Sequence, residues 1–314
     1  MADGDLPVRV LYVLSSGRSG STLLELLLAT HPGVETLGEL VLLPGLARDP
    51  AARCACGLPL RACPVWSGVL AIGSPAGASA PDPFREQPDA GRTLRPALLP
   101  ELLTGRVRPA TQAFAERYAR RVRTVTGLAA RLLAPSPGEP PLVVDASKDP
   151  YRLAVLAIDA TMELWVVHLV RDPRGYLTST RRPGDGIGPS ARRAARWTVQ
   201  HHLAERVRRL VPARRWTTLR YEDLAARPGE VLEGLGTWLG LPPGFDPDGF
   251  RSHPTHALGG NPMRSRSDPV RLDERWRRDL PAAHARLCWA VAGPTARRYG
   301  YRWAAGRAAP GVCR

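Results

Sequence analysis

The sequence predicts a three-layer α/β fold built around a parallel β-sheet. Short apolar runs rich in valine and leucine alternate along the chain with longer segments of helical periodicity. Such runs are typical of strands buried on both faces, because helices cover both sides of a parallel sheet. The first run leads directly into a Gly/Ser-rich loop and an apolar helix, which is the opening of a phosphate-binding βα unit.

Three segments carry the clearest strand pattern, and a fourth carries a weaker one. They are residues 8–14, 141–145 and 163–170, with 216–221 as the weaker segment. Helical periodicity fills the intervals near residues 111–133, 150–159, 174–182, 190–210, 228–239 and 282–298. Strands that alternate with helices in this way favour a single sheet with helices on both faces.

Two stretches break the alternation. Residues 44–140 carry three cysteines, many prolines and a helix expected near 113–133. Predicted strands lie on both sides of this stretch, so we expect an insertion or cap within a single domain of residues 1–314. Residues 183–190 are rich in proline and glycine and are predicted to form a mobile loop.

The chain is strongly basic, which raises the question of a nucleic-acid partner. Its net charge is +15, and all but one of its 44 lysine and arginine residues are arginine. The arginines are spread along the whole length and form no basic block interleaved with aromatic residues. We therefore expect no nucleic-acid partner, and a local pocket of arginines suffices for a small anionic ligand.

The sequence also bears on the cellular compartment. The start of the chain, residues 1–5, is acidic, whereas a secretory leader begins with basic residues and continues into a longer apolar region. No stretch reaches the roughly 20 uninterrupted apolar residues of a membrane span. Five cysteines in a chain of 314 residues do not suggest a disulfide framework. We expect a cytoplasmic protein.

The loop after the first predicted strand is the strongest anion-binding signal. Its residues are Ser16, Gly17, Arg18, Ser19, Gly20, Ser21 and Thr22. Backbone N–H groups at a helix N-terminus bind anions, and glycine lets the backbone approach them closely. Loops that bind nucleoside triphosphates follow the pattern G-x-x-x-x-G-K-[ST]; this loop lacks the lysine and its glycines lie too close together. The alternative is an ordinary turn.

Several sequence blocks in a fixed order resemble one family. They are Ser15–Leu24, Leu37–Glu39, Val144–Pro150, Val167–Arg174, Arg220–Leu224, Gly260–Arg264 and Arg298–Tyr301. The chain thus resembles the carbohydrate-type and bacterial branch of the sulfotransferase superfamily, over about residues 8–60 and 141–302. The resemblance implies a P-loop-type fold and the co-substrate 3′-phosphoadenosine 5′-phosphosulfate, with no metal required. It also implies transfer of a sulfuryl group to a hydroxyl of a small-molecule, glycan or lipid acceptor.

The resemblance assigns nucleotide-binding roles to individual residues. The Ser16–Thr22 loop is expected to bind the 5′-phosphosulfate, while Arg171 and Ser179 match the residues that bind the 3′-phosphate. Tyr221 and Arg264 are expected to close over the nucleotide. The alternative for Arg171 is a salt bridge at the end of a strand, with Ser179 at the surface.

Lys148 and Glu39 are the catalytic candidates. Lys148 follows a predicted strand, and the resemblance places a lysine there beside the bridging oxygen, which gains negative charge during transfer. It is the only lysine, which suggests that a compact ammonium group is needed. The resemblance implies that Glu39 faces the acceptor hydroxyl as general base. The alternatives are a lysine paired with Asp149 and an exposed glutamate.

The histidines offer one rival to Glu39. His256 lies near the Gly260–Arg264 block and is the alternative general base. His168 falls in a predicted buried strand and is expected in the core. His201 and His202 fall in an arginine-rich amphipathic helix and are predicted to lie at the surface.

Three thiols lie within ten residues, at Cys54, Cys56 and Cys63. Zinc usually takes four ligands, often with C-x-x-C spacing, so a C-x-C pair would need a fourth ligand from elsewhere, for example His31. We expect reduced structural thiols and predict no metal, with zinc as the less favoured alternative.

The acceptor pocket is less specified than the nucleotide site. Residues 44–140 and 183–196 are expected to shape it, with aromatic candidates at Trp66, Phe84, Phe114 and Tyr118. Two other functions compete with sulfotransfer. A kinase of the P-loop type would need Mg²⁺ and a phosphate-binding lysine. An anionic-nucleotide or RNA-binding module would show a steep dependence on salt.

Overall fold

A five-stranded, all-parallel sheet forms the centre of the computed structural model, which describes residues 8–72, 97–101, 104–134, 140–159, 161–259, 262–265 and 269–303. The strands are β1 (Arg9–Ser15), β2 (Val34–Gly38), β3 (Leu142–Asp145), β4 (Glu163–Val170) and β5 (Trp216–Arg220). Their order is β2-β3-β1-β4-β5, with parallel pairing throughout. The predicted α/β class and parallel sheet are confirmed.

Helices connect the strands and cover the sheet. The first group is α1 (Ser21–Leu28), α2 (Leu43–Arg48), α3 (Pro64–Ile72), α4 (Pro109–Leu133), α5 (Pro150–Ile158) and α6 (Pro173–Thr180). The second group is α7 (Ile187–Val207), α8 (Tyr221–Ala226), α9 (Pro228–Leu239), α10 (Trp276–Asp279) and α11 (Ala282–Arg298). No helix within the described ranges is both long and apolar enough to span a bilayer.

The central strand shows why the fold has three layers. Successive side chains of a strand point to opposite faces of the sheet. Val10, Tyr12 and Leu14 pack into one apolar cluster together with residues of α4, α5 and α7. Leu11 and Val13 pack into a second cluster together with residues of α1 and α9. The continuous apolar run of β1 is therefore explained by burial on both faces.

Helix α4 belongs to the core and not to a cap. Its residues Ala115 and Ala119 lie in the same cluster as Val10 of β1, and Val125 packs with Val143 of β3. The helix carries the chain from β2 back to the sheet at β3. Within the stretch predicted to be an insertion or cap, residues 44–140, this long helix therefore buries an apolar face against the sheet. Residues 73–96, 102–103 and 135–139 of that stretch lie outside the described residues.

The loop predicted at residues 183–190 is shorter than expected. Helix α7 already begins at Ile187. Pro189 lies in its first turn, where a missing N–H costs no intrahelical hydrogen bond. Asp185 organises the remaining turn, because its carboxylate accepts a hydrogen bond from the Arg182 N–H at 2.7 Å and pairs with Arg193 at 2.8 Å.

The surface position predicted for His201 is wrong. His201 is fully buried, and its Nδ1 lies 2.8 Å from Nε2 of His168, which is in the core as predicted. Burial lowers the pKa of both imidazoles, that of His168 to about 3, so both are neutral near pH 7. His202 is exposed as predicted. Because arginines surround His201 and His202 in the sequence, the pattern of this helix did not show that His201 faces the core.

Candidate functional site

A cavity of about 1550 Å³ lies where the strands end. Residues within three positions of the ends of three strands line it: Gly17 and Arg18 after β1, Lys148 after β3, and Arg171 after β4. In open α/β sheets, ligands bind at the carboxyl ends of the strands, near the point where the order of the strands in the sheet reverses. The cavity is therefore the candidate active site.

The loop of residues 16–22 contributes to the cavity in two ways. Five of its residues line the cavity: Gly17, Arg18, Gly20, Ser21 and Thr22. Ser16 and Ser19 are buried instead, with their hydroxyl oxygens 2.8 Å apart. Helix α1 begins at Ser21 and is capped by Gly20, so its first N–H groups lie at the cavity wall. The loop thus presents N–H and hydroxyl donors to the cavity. The hydrogen bond between Ser16 and Ser19 stabilises it from beneath.

Two cavity residues adopt a backbone conformation that favours glycine. Among the residues that the structure describes, Arg18 and Lys148 are the only non-glycine residues with positive φ, at 68° and 67°. The left-handed conformation costs an ordinary L-residue roughly 1–2 kcal/mol. Residues that adopt it are found preferentially at functional sites. Both residues were singled out from the sequence, and both lie on the wall of the same cavity.

The backbone at Lys148 and at the residue after it is held by hydrogen bonds. The Tyr12 hydroxyl donates to the Asp149 carbonyl at 2.9 Å and accepts from the Asp149 N–H at 3.1 Å. The Gln200 amide donates to the carbonyls of Ser15 at 2.6 Å and Lys148 at 3.3 Å. The central strand and α7 therefore fix the left-handed turn that presents the lysine.

Lys148 and Glu39, the two catalytic candidates, form an ion pair. The Lys148 Nζ lies 2.7 Å from Oε1 of Glu39, and both side chains are largely buried. Asp149, the partner considered from sequence, instead caps α5 by accepting hydrogen bonds from the Tyr151 and Arg152 N–H groups. Glu39 and Lys148 meet because β2 and β3 are neighbours in the sheet and both residues follow their carboxyl ends.

A distant segment fixes the backbone of Glu39. The Leu258 N–H donates to the Leu37 carbonyl at 2.9 Å, and the Leu258 carbonyl accepts from the Glu39 N–H at 2.9 Å. Gly38 lies between these two bonds with a φ of 69°, and a Cβ there would collide with the Leu258 carbonyl. The sequence block Leu37–Glu39 therefore requires glycine at its centre.

Arg171 forms the second basic group of the cavity. Its Nη1 donates to the Arg18 carbonyl at 3.0 Å, and its Nη2 pairs with Oδ2 of Asp273 at 2.9 Å. Its guanidinium carbon lies 4.4 Å from the ring centroid of Tyr221. Ser179 lines the same cavity from α6. The structure thus brings Arg171, Ser179 and Tyr221 together and joins them to the Ser16–Thr22 loop.

Tyr221 packs between the loop and Arg171. A Cβ built on Gly20 would lie 2.5 Å from the tyrosine ring, so only glycine fits beneath it. The Tyr221 hydroxyl accepts a hydrogen bond from the Asp273 N–H at 3.1 Å. Burial raises the pKa of Tyr221, although Arg171 opposes the shift, so the phenol stays protonated near pH 7.

Sequence reasoning missed Asp273 and its neighbour Arg275. The Asp273 carboxylate accepts hydrogen bonds from Arg275 at 2.8 Å and from Arg171 at 2.9 Å. These two arginines, Arg275 first, hold the pKa of Asp273 well below its usual range. The contact with Arg171 spans 102 residues. Neither residue stands in a block that the sequence analysis used, so no local signal marked it.

Arg264 lies against α1 and is absent from the described cavity lining. It pairs with the fully buried Glu25, which also accepts a hydrogen bond from Thr36 at 3.2 Å. Burial raises the pKa of Glu25, and Arg264 opposes this shift. The expected contact of Arg264 with the nucleotide stays a prediction. Gly260 and Asn261 of the same block lie outside the described residues.

Those remaining sequence candidates that the structure describes are absent from the cavity lining. The Nδ1 of His256, the rival base, lies 3.2 Å from Sγ of Cys63. Trp66 and Tyr118 are buried in the core, where they donate to the His256 carbonyl and accept from Arg152, respectively. Phe114 packs beside Tyr118, and Phe84 lies outside the described residues. The three described aromatic residues that were expected in an acceptor pocket therefore serve mainly as core residues.

Comparison with known proteins identifies the family of the chain. The model of the sulfotransferase family matches residues 88–247, just over half of the chain. The structure is similar to the sulfotransferase domain of the Synechococcus PCC 7002 olefin synthase, at 24% identity and a TM-score of 0.53, covering 94% of this chain and 97% of that one. It is also similar to the sulfotransferase domain from the curacin biosynthetic pathway, at 22% identity and a TM-score of 0.49, covering 92% and 99%.

The first of these likenesses shows the fold, and the family match covers much of the sheet and its helices. None of the curated proteins matches the sequence significantly. The resemblance that the ordered sequence blocks indicated is confirmed at the level of the family. The chain belongs to the sulfotransferase family.

Proposed function

We propose that this sulfotransferase uses 3′-phosphoadenosine 5′-phosphosulfate as donor and a hydroxyl group as acceptor. One observation carries the proposal: the Arg171 guanidinium contacts the backbone of Arg18, so two basic anion sites lie side by side on one cavity wall. The donor carries its phosphates on the 3′ and 5′ positions of a single ribose. Adjacent sites suit such a ligand better than the linear chain of a nucleoside triphosphate.

The residues of the wall divide between the two anions. The N–H groups at the start of α1, with Arg18, Ser21 and Thr22, are proposed to hold the 5′-phosphosulfate. Arg171 and Ser179 are proposed to hold the 3′-phosphate, since a guanidinium fork suits phosphate geometry. The Tyr221 ring packs against both Gly20 of the loop and the Arg171 guanidinium, and it helps to keep that guanidinium oriented.

Glu39 and Lys148 are proposed to carry out the transfer. The Glu39 carboxylate takes the proton of the acceptor hydroxyl as that oxygen attacks sulfur. The bond between sulfur and the bridging oxygen breaks, and this oxygen leaves with the electron pair on the 5′-phosphate. Lys148 stabilises the charge that develops there, which is an interaction realised mainly in the transition state.

The ion pair of these two residues has a role before the reaction. With the Lys148 ammonium 2.7 Å from Glu39, the carboxylate is partly neutralised. When the donor binds and the ammonium turns to the bridging oxygen, the carboxylate is released to accept a proton. Donor binding and activation of the base are thereby linked through one lysine.

Product analysis by mass spectrometry tests the proposal. The purified chain is incubated with the sulfate donor and a panel of hydroxylated sugars, lipids and phenols, with and without added Mg²⁺. We expect a mass gain of one SO₃ group on at least one acceptor, at an initial rate that does not depend on added Mg²⁺. Transfer of phosphate from ATP that requires Mg²⁺ would instead identify a kinase.

A further inference from the structure

Four potential metal ligands converge outside the cavity. They are Cys54, Cys56, Cys63 and His256, and their ligand atoms all lie within 4.8 Å of one another. We call this group the thiol–histidine cluster. The His256 Nδ1 lies 3.2 Å from Sγ of Cys63 and 3.8 Å from Sγ of Cys54. None of the four belongs to the described lining of the cavity.

These separations, from 3.2 Å to at most 4.8 Å, bracket those of a tetrahedral metal site. Zinc–sulfur bonds of about 2.3 Å and zinc–nitrogen bonds of about 2.0–2.1 Å place neighbouring ligand atoms roughly 3.5–3.8 Å apart. The three cysteines are free thiols, and Cys54 and Cys63 are buried. Three thiolates and one imidazole favour zinc over the hard cations that bind oxygen ligands. We propose that the thiol–histidine cluster binds one structural zinc ion.

The local backbone is arranged for such a site. The Cys54 N–H donates to the Leu58 carbonyl at 2.9 Å, and the Gly57 N–H donates to the Cys54 carbonyl at 3.0 Å, so the chain turns back just after Cys56. The left-handed φ of 88° at Gly57 permits this turn. The turn brings two thiols of a C-x-C pair to the same side as Cys63. The C-x-C spacing of Cys54 and Cys56 argued against zinc, but this tight turn allows both thiols to face one metal ion.

The fourth ligand comes from a distant part of the chain. The Ala55 N–H donates to the Ala257 carbonyl at 3.2 Å, and the Trp66 indole donates to the His256 carbonyl at 2.7 Å. These bonds seat His256 against the cysteine segment. His31, the ligand considered from sequence, has both ring nitrogens engaged elsewhere, with Gly33 and Pro242.

The site has a consequence for the active centre. Four protein ligands complete the tetrahedron, which is the pattern of structural and not catalytic zinc. The metal would tie the cysteine segment to residues 256–258, and Leu258 holds the backbone of Glu39 through the two hydrogen bonds described above. Zinc is therefore a positioning element for Glu39, and its binding releases thiol protons to solvent.

Metal analysis tests this inference independently of any sulfotransfer. The full chain is purified under reducing conditions without chelator, and zinc is measured by mass spectrometry of the metal. We expect about one zinc ion per chain. Cys56→Ser and His256→Gln should retain less than about a tenth of it. Cys288→Ser is the matched control, because Cys288 is a buried free thiol on α11 and should leave the zinc content unchanged.

A second measurement uses the wild-type chain and therefore tests the inference even if the ligand variants fail to fold. Zinc is removed from the wild-type chain by a chelator and replaced by cobalt, which should give the visible bands of tetrahedral cobalt and thiolate-to-metal charge transfer. Removal should lower the melting midpoint by at least about 5 °C, and zinc should restore it. A zinc-free chain that shows no such cobalt spectrum would overturn the inference. So would a disulfide among the three cysteines in freshly purified protein, or undiminished zinc in both ligand variants.

Discussion

The two regions of the cavity that are proposed to bind anions are built in different ways. The loop of residues 16–22 relies on backbone N–H groups, a left-handed Arg18 and a glycine beneath Tyr221. The region around Arg171 relies on a side chain, held by the carboxylate of Asp273 and the ring of Tyr221. The loop is fixed by its backbone conformation. The position of the Arg171 side chain is fixed by an ion pair whose carboxylate partner can be exchanged for another anion.

The two regions should therefore respond differently to substitutions. A backbone anion site has no side chain to give way, so an added methyl group disturbs the geometry directly. A guanidinium held by a counter-ion can exchange that partner for a phosphate. We therefore expect sharp losses from small changes near the loop and graded effects around Arg171.

The largest effect is expected at Lys148, which stands on the loop side. Lys148→Ala removes the charge proposed at the bridging oxygen, so kcat should fall by about 10²–10⁴-fold while donor affinity changes far less. Steady-state kinetics and donor titration separate the two quantities. Lys148→Arg keeps a charge but not the compact ammonium and should recover only part of the rate. Normal turnover in Lys148→Ala would show that Lys148 does not stabilise the bridging oxygen during transfer.

Glu39→Gln should come next in size. It removes the proposed proton acceptor and keeps the shape of the side chain, so kcat should fall by roughly 10²–10³-fold with donor affinity little changed. Glu35→Gln is a matched control, because Glu35 lies four residues earlier on β2 and is absent from the described cavity lining. Equal rates in the two variants would exclude Glu39 as the base.

Gly20→Ala probes the backbone-built region directly. The new Cβ would lie 2.5 Å from the Tyr221 ring at a φ of +92°, so the free energy of unfolding should fall by about 2–3 kcal/mol. Gly17→Ala is the comparison, because a Cβ there meets no atom within 4 Å. Its unfolding free energy should stay within about 0.5 kcal/mol of wild type. Denaturant melts of both variants measure this, and equal stabilities would contradict the packing argument.

Asp273→Asn probes the charge-built region and should have the smallest effect. Its folded-state pKa lies below the unfolded value, so the carboxylate stabilises the fold above about pH 4 and loses this contribution as pH falls further. The variant should therefore be less stable by about 1 kcal/mol at pH 7, since the pair is partly exposed, and the gap should narrow below pH 4.

The same variant should bind adenosine 3′,5′-bisphosphate a few-fold more tightly, because one negative charge leaves the cavity. Titration at pH 7 and low salt measures this. A marked loss of affinity would mean that Asp273 mainly orients Arg171, and the contrast between the two regions would then be weaker.

Much of the sheet and half of the site could be predicted from the sequence. Strand β1 and the loop after it carry local patterns, and the order of the blocks pointed to Glu39, Lys148 and Arg171. These residues lie within three positions of the carboxyl ends of strands, so their position at one edge of the sheet follows from the fold class.

The rest depends on contacts between distant residues. Gln200 and Asp273 act on residues far away in sequence, and nothing in their local pattern marks them. The cavity arginines, such as Arg192 and Arg196, resemble the many surface arginines of this composition. His256 could not be recognised as a partner of the cysteines, because about 190 residues separate it from Cys63.

Titration calorimetry with adenosine 3′,5′-bisphosphate tests the adjacent anion sites most directly. The wild-type chain should bind this nucleotide without added metal, and Arg171→Ala should bind it at least about tenfold more weakly. Failure of the wild-type chain to bind the bisphosphate, or tighter binding of ATP with magnesium, would contradict the account.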